Sequence, residues 1–341
     1  MPEHLVLISP SANRVYAAAT PSLITAETRA LATGFGIPDI EVEPTVLGGV
    51  PYLAVRTPDH LAEDGVALLS NLSAVHALFR REGALLAPVE LQRSERYPSD
   101  LVTIQKYQGK TNEQWTRLLL NVTAAATRHP RKLLDGTLQV FDPMCGRGTT
   151  LNLALSLGLD VTGVDLDRKD YEAYSAFIKT WLRQHRLKHT AEDKQLRTGG
   201  QTRGRRLDIE VAPTKEDFKA GAVQRASFLN TDTSDLDGLL RATSQDVIVT
   251  DTPYGVLHGS HGDRLARSPL DLLEVALSGW HRVLRSGGAI GLSFNRHVAP
   301  RSELSTLLQQ HGFEPVTGEE DAFRHRVDAS IDRDLLVAVK A

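Results

Sequence analysis

Three loops in the second half of the chain hold residue types that could bind a cofactor and position a reactive amine. The first follows the apolar run LQVFD and reads Asp142-Pro143-Met144-Cys145-Gly146-Arg147-Gly148-Thr149-Thr150. Two glycines at a strand-to-helix turn let the backbone approach a ligand closely, and the helix that follows offers its N-terminal amides. The second loop opens at Asp165, twenty-three residues after Asp142, at the end of the run VTGVD. An acidic side chain at a strand end there can accept hydrogen bonds from both ribose hydroxyls, so the two loops together read as a nucleoside seat. Leu151 stands where a dinucleotide fingerprint needs its third glycine, and no Gly-Lys-Ser/Thr follows, so a pyrophosphate site is not built.

A nucleoside without a pyrophosphate remains, namely S-adenosylmethionine. Asp142 would face its cationic end, Gly146 and Gly148 would flank its aminoacyl part, and Pro143, Cys145 and Thr149 would complete the turn. Cys145 reads as a small packing residue inside this turn rather than as a nucleophile. The third loop, Asp251-Thr252-Pro253-Tyr254-Gly255, follows QDVIVTD. A carboxylate at a strand end, a proline-stiffened turn and an aromatic ring suit a planar, amine-bearing ring: Asp251 accepts amine hydrogens and Tyr254 stacks on the ring. On this reading Asp251, Pro253 and Tyr254 carry the reaction, and Thr252, Gly255 and Asn295 line the substrate. The same five residues also make a good turn; their place after two loops that resemble a cofactor seat favours a site.

These loops need strands behind them. From about residue 112 helical and strand patterns alternate: EQWTRLLLNVTAAATR is a helix, LQVFD a strand, TTLNLALSLG a helix, DVTGVDLD a strand and KDYEAYSAFIKTWLRQH a helix. QDVIVTD, AIGLSFN and DLLVAVKA add strands, with helices over SPLDLLEVALSGWHRVLRSGG and RSELSTLLQQHGFE. Strand-helix-strand order with short links predicts an α/β fold, a doubly wound Rossmann-like sheet whose ligands lie outside the carboxyl ends of its strands. Residues 1–100 read as a small α+β domain, with strands at HLVLIS and PYLAV and a helical stripe through Leu68, Leu69, Leu72, Val75, Leu78 and Phe79. Residues 101–341 form the second domain.

The formal net charge of -3 argues against a protein wrapped wholesale in nucleic acid. The charge is uneven. Residues 1–100 hold seven Arg and no Lys against twelve Asp or Glu, whereas residues 179–206 hold nine Lys or Arg against two carboxylates. That basic run opens an insertion over about 183–225, read either as a solvated, flexible segment or as a surface for phosphates. His258 and His261 read as solvated or substrate-facing, so no metal site is expected. No window has the length of apolar sequence that a membrane helix needs, and the start lacks a basic region followed by a long apolar one. With a single cysteine, a cytoplasmic protein is expected.

FDPMCGRGTTLNLALSLGLDVTGVDLD followed by VIVTDTPYG resembles the class I S-adenosylmethionine-dependent methyltransferases that act on exocyclic nitrogens of bases. The tRNA guanosine-10 N2-methyltransferases and their THUMP-associated relatives are the most similar of these. KYQGKTNEQWTRLLLNV resembles their upstream loop and helix, and HRVDASIDRDLLVAV, with His325, Ser330 and Arg333, resembles their closing run. The resemblance spans about residues 103–341 and implies that Asp232 contacts the cofactor adenine. Thr252 stands where that family's tetrapeptide has a second proline. The resemblance implies N-methylation of a nucleobase amine in RNA, with guanine N2 of tRNA foremost. N-methylation of a small molecule or peptide, and a silent module that binds RNA or a partner, stand as rivals.

Overall fold

The computed structural model describes residues 1–253, 269–316 and 321–341. Near the start of the chain, strands β1 (Glu3–Ile8), β2 (Glu41–Leu47), β3 (Val50–Arg56), β4 (Val75–Glu82) and β5 (Leu85–Val89) pair antiparallel in the order β2-β3-β1-β4-β5. Helices α1 (Arg14–Gly34) and α2 (Glu63–Ser70) accompany this sheet. Asn13 starts α1 by accepting hydrogen bonds from the Val15 and Tyr16 amides, two of the donors that a helix start leaves without partners.

The stripe from Leu68 to Phe79 is not one helix. α2 stops at Ser70, where the Asn71 amide donates to the Ala67 and Gln92 carbonyls, each at 2.8 Å, and the chain returns as β4. Leu5 of β1 opposes Phe79, and Leu78 opposes Val89 of β5. Partners on both edges of β4 satisfy its backbone, and that outweighs a local spacing that suits either structure.

Helices α3 (Asp100–Thr103) and α4 (Glu113–Ala125) lead into the second sheet. There β6 (Gln139–Asp142), α5 (Thr149–Ser156), β7 (Asp160–Asp165) and α6 (Arg168–Gln184) alternate. They are followed by β8 (Lys188–Thr198), β9 (Gln201–Ala212), α7 (Lys215–Ala220), β10 (Gln224–Asn230) and β11 (Gln245–Asp251). Helices α8 (Pro269–Val283) and α9 (Arg301–Gln310) and strands β12 (Leu284–Asn295), β13 (Phe313–Pro315), β14 (His325–Arg326) and β15 (Asp332–Lys340) complete it. The order is β13-β15-β12-β11-β6-β7-β10-β9-β8, with β14 also on β15. β10, β7, β6, β11 and β12 run parallel and β15 antiparallel, a doubly wound Rossmann-like arrangement of the kind the strand-helix alternation predicts.

Both faces of this sheet are covered. Val140, Val247 and Val249 pack in one buried cluster with Trp115 and Leu118 of α4, while Phe141, Ile248 and Leu292 pack in another with Leu273 and Trp280 of α8. Successive strand residues point to opposite faces, so strands buried on both sides read as continuous apolar runs. The first cluster continues without a break into Val6, Leu31 and Leu53, so the antiparallel sheet and the α4 face share one core. Strand order reverses between β6 and β11, and the crevice at their carboxyl ends is the topological switch point.

The basic run folds as a long antiparallel hairpin, β8 with β9, on the outer side of β10. Gly199 (φ +58°) and Gly200 (φ +81°) make its turn, as two consecutive left-handed residues in a tight hairpin require. Its cations are largely matched. Lys179 and Arg205 face Asp193 at 3.4 and 2.9 Å, Lys194 and Arg206 each face Asp208 at 2.7 Å, and Arg203 pairs with Asp235.

Candidate active site

The end of β6 and the start of α5 form the first wall. Gly146 and Gly148 have φ of +49° and +79°, a backbone that a side chain would strain, and Gly148 is the cap from which α5 begins. A Cβ on Gly148 would lie 2.4 Å from the Tyr174 ring, so α5 can sit this low only with glycine there. Beside Gly146 nothing stands within 4 Å of the direction a side chain would take. Cys145 is buried and its thiol lies toward Gly163 of β7, so burial pushes its pKa well up and leaves it a packing group.

Asp142 is also buried. Its Oδ1 accepts from the Met144 amide at 3.1 Å and from the Thr250 hydroxyl at 2.8 Å. Desolvation raises its pKa to about 7, with the neighbouring Asp165 charge adding to the rise. Asp165 folds back over the glycine turn: Oδ2 accepts from the Gly146 amide and Oδ1 from the Asp167 amide, both at 2.8 Å. Burial raises Asp165 to about 6. Next to it in register, Asn230 donates to the Asp165 and Leu166 carbonyls at 3.0 and 3.1 Å and fixes the turn that carries Asp232. Asp232 is exposed there, its Oδ1 accepting from the Ser234 amide and hydroxyl. The expected cofactor residues therefore converge on three adjacent strand ends.

The second wall is the end of β11. Asp251 lies beside Ser293 in the parallel register of β11 and β12, and the Ser293 hydroxyl donates to its Oδ1 at 2.5 Å. From the loop before α4, Thr111 donates to Oδ2 at 2.6 Å. Ser293 in turn accepts from the buried Trp115 indole at 2.9 Å. The His325 ring lies 4.7 Å from the Trp115 ring and 5.6 Å from that of Tyr16. Burial first, and the Arg333 charge second, hold His325 down at about 4, so it is a neutral ring at physiological pH.

Two expected substrate residues do other work. Thr252 is buried, and its amide and hydroxyl donate to the Ser293 carbonyl at 2.9 and 3.0 Å, so it pins the turn by hydrogen bonds where a second proline would stiffen it. Asn295 is buried as well. Its amide donates to the Ser330 carbonyl at 2.9 Å while its oxygen accepts from the His297 and Asp332 amides, which holds the turn before β15. Pro253 is exposed at the rim. Tyr254 and Gly255, with His258 and His261, lie outside the described residues. Among the described residues no three His, Cys, Asp or Glu side chains could hold a metal ion, and no helix is long and apolar enough to cross a membrane.

Thr111 and Ser293 are the functional residues that site reasoning missed. Ser293 did leave a signal, one hydroxyl inside the apolar strand AIGLSFN, and Thr111 lies in the stretch KYQGKTNEQW. One loop serves both walls, because Tyr107 meets Thr149 at 3.0 Å, hydroxyl to hydroxyl, four residues before Thr111 meets Asp251.

A family model described as RMKL-like, methyltransferase domain, matches residues 120–310, more than half of the chain. No curated protein matches. Among solved structures, Burkholderia thailandensis 1,6-didemethyltoxoflavin-N1-methyltransferase is 19% identical over 65% of this chain and 78% of its own, with a TM-score of 0.37. An rRNA methylase from Streptococcus thermophilus is 12% identical over 61% of this chain and 90% of its own, with a TM-score of 0.34. A TehB-like SAM-dependent methyltransferase from Corynebacterium glutamicum is 18% identical over 60% and 80%, with a TM-score of 0.34.

Proposed function

The chain belongs to the family of RMKL-like methyltransferase domains, and on that premise we propose that it methylates an exocyclic amine of a nucleobase in RNA, with guanine N2 of tRNA the leading acceptor. It is an S-adenosyl-L-methionine-dependent methyltransferase. The residues fit that donor: the space beside Gly146 is open, Asp142 would serve its cationic end, and Asp165, at the neighbouring strand end, would accept from its ribose hydroxyls. Bound there, the donor supplies an electrophilic methyl group on sulfur.

The observation that carries the reading is the carboxylate of Asp251, held on both oxygens by Thr111 and Ser293 at the strand end adjoining the cofactor turn. A carboxylate accepts hydrogen bonds and donates none, which is what the hydrogens of a planar amine require of a partner. Fixed in this way, Asp251 orients the amine and stabilises the positive charge that grows on nitrogen as the N–C bond forms and the C–S bond breaks. The surplus N–H proton then passes through Asp251 to water. The resemblance to the guanosine-10 family through VIVTDTPYG and the closing run HRVDASIDRDLLVAV supports RNA as substrate. The surplus of carboxylates in the first 100 residues favours a second reading, N-methylation of a small molecule or peptide. A cytoplasmic location accords with the single cysteine.

The test is incubation of the purified protein with methyl-labelled S-adenosylmethionine and bulk tRNA, followed by mass analysis of nucleosides. Label on guanine N2 is expected. Cofactor binding without label in any RNA would overturn the RNA reading and leave the small-molecule one.

A further inference from the structure

An open hollow of about 580 Å³ lies between the start of α1 and β14, lined by Arg14, Arg324, His325 and Arg326 and floored by Ala18 and Ala19. Among the described residues no carboxylate lines it. Arg324 is anchored by Asp332 at 2.9 Å and Asp321 at 3.2 Å. Arg326 donates from Nε to the Asp328 carbonyl at 3.0 Å, while the Asp328 carboxylate turns inward to the Ser330 and Ile331 amides. Arg14 has no ion pair among the described residues, and both Arg14 and Arg326 are exposed. His325, which closes the inner side, touches Trp115, and Trp115 donates to the same Ser293 hydroxyl that holds Asp251. The hollow is therefore two side chains away from the residues around the acceptor carboxylate.

We infer that this hollow seats a phosphodiester of the RNA strand beside the nucleotide presented to Asp251. The inference rests on the RNA reading above. A base whose exocyclic amine is to be methylated must leave its stack, and the phosphates on either side of it then need a cationic surface close to the reacting amine. Arginines provide it, since the planar guanidinium matches phosphate oxygens two at a time. The hairpin β8–β9 is the rival surface, but Lys194, Arg203, Arg205 and Arg206 are matched there by Asp208, Asp235 and Asp193, and it lies on the donor side of the sheet beyond β10. Arg14 belongs to the first sheet unit and Arg326 to the second, so the acidic N-terminal unit would contribute one cation to RNA close to the acceptor wall.

The experiment compares wild type, the double variant Arg14→Gln/Arg326→Gln and the hairpin variant Arg197→Gln for tRNA affinity across a salt series. S-adenosylhomocysteine binding and thermal melting check the fold. The expected result for the double variant is a loss of about tenfold in tRNA affinity and a salt slope shallower by about one to two, with S-adenosylhomocysteine binding and melting unchanged. Arg197→Gln should change tRNA affinity less than twofold. If wild type methylates tRNA and the double variant binds it with unchanged affinity and slope, the hollow is not the phosphate seat and the RNA reading stands. A larger loss in the hairpin variant would equally overturn the assignment. A wild type that neither binds nor methylates any RNA would sink both.

Discussion

Thr250 donates its hydroxyl hydrogen to Oδ1 of Asp142 across 2.8 Å, and that bond ties the end of β11 to the end of β6. One partner precedes the acceptor carboxylate by one residue and the other opens the cofactor turn. On the proposed reading, the separation between methyl donor and amine is therefore set by two strands paired in register, Val247 with Val140 and Ile248 with Phe141, rather than by loops. Rigid placement of this kind is what a methyl transfer needs, because its rate depends on an in-line approach at close range.

Asp251→Asn should lower methyl transfer at least 100-fold while S-adenosylhomocysteine binds within twofold of wild type. Single-turnover assays with isothermal titration in parallel measure both. Full activity in the variant would remove Asp251 from the reaction.

Thr111→Val and Ser293→Ala each take away one hydrogen bond that aims the Asp251 carboxylate. Each should lower kcat about tenfold, with little change in the KM for the donor. Their effects should not add in the double variant, because both act through one carboxylate. Strict additivity in kcat would mean that the two hydroxyls work independently of Asp251.

Donor binding should strengthen with pH. Asp165 and Asp142 are raised by burial to about 6 and about 7, so both are protonated at pH 5 and both ionised by pH 8, when Asp142 can attract the cationic end of the donor and Asp165 can accept from its ribose hydroxyls. The dissociation constant of S-adenosylmethionine should fall over that range. Asp165→Ala should weaken binding at pH 8 by roughly tenfold and flatten the lower part of the profile. A flat profile in wild type would show that neither carboxyl faces the donor.

Glu27 gives a stability prediction of opposite sense. It is wholly buried in α1, accepting from the Ser73 amide and hydroxyl and from the Asn121 amide, and burial raises it from 4.5 to about 7. A carboxyl with a raised folded pKa favours the folded state fully below pH 4.5, and that advantage disappears as pH climbs through 7. In Glu27→Gln the remaining oxygen can accept from the Ser73 and Asn121 amides while the new amide donates to the Ser73 hydroxyl, with no charge, so at pH 8 it should melt above wild type, by the equivalent of about 3 kcal/mol at most, and the gap should close by pH 4.5. A gap that does not vary with pH would show that Glu27 stays ionised throughout.

The turn proposed to hold the cofactor could be singled out in the sequence because its residues are local. Gly146, Gly148 and Asp142 belong to one turn, and Asp165 ends the next strand. The support of the acceptor could not, since Thr111 lies 140 residues before Asp251 and only the fold brings their oxygens together. The bonds of Asn295, expected beside the substrate, could not be read for the same reason: its partners Ser330 and Asp332 arrive through the turn before β15 and the start of β15 itself. The stretch from Val75 to Phe79 suits helix and strand alike in its spacing, and the choice was made by β1 and β5. The charge run from 179 to 206 was read as a solvated segment or a phosphate surface, without the aspartates that fold onto it and without the hairpin that Gly199 and Gly200 turn.

The outer strands of the two sheets close the molecule against its own copies. A free strand edge is a template on which another chain can polymerise. β2 carries Pro44, β5 carries Pro88 and the three-residue β13 ends in Pro315, each lacking an amide hydrogen that a foreign strand would need. β8, the long rim of the larger sheet, has no proline but displays Lys188, Glu192, Asp193, Lys194 and Arg197, whose hydration an incoming strand would have to strip away. Each of these four rims therefore carries an obstacle to strand addition, and replacing Pro44 or Pro88 by valine would remove one of them.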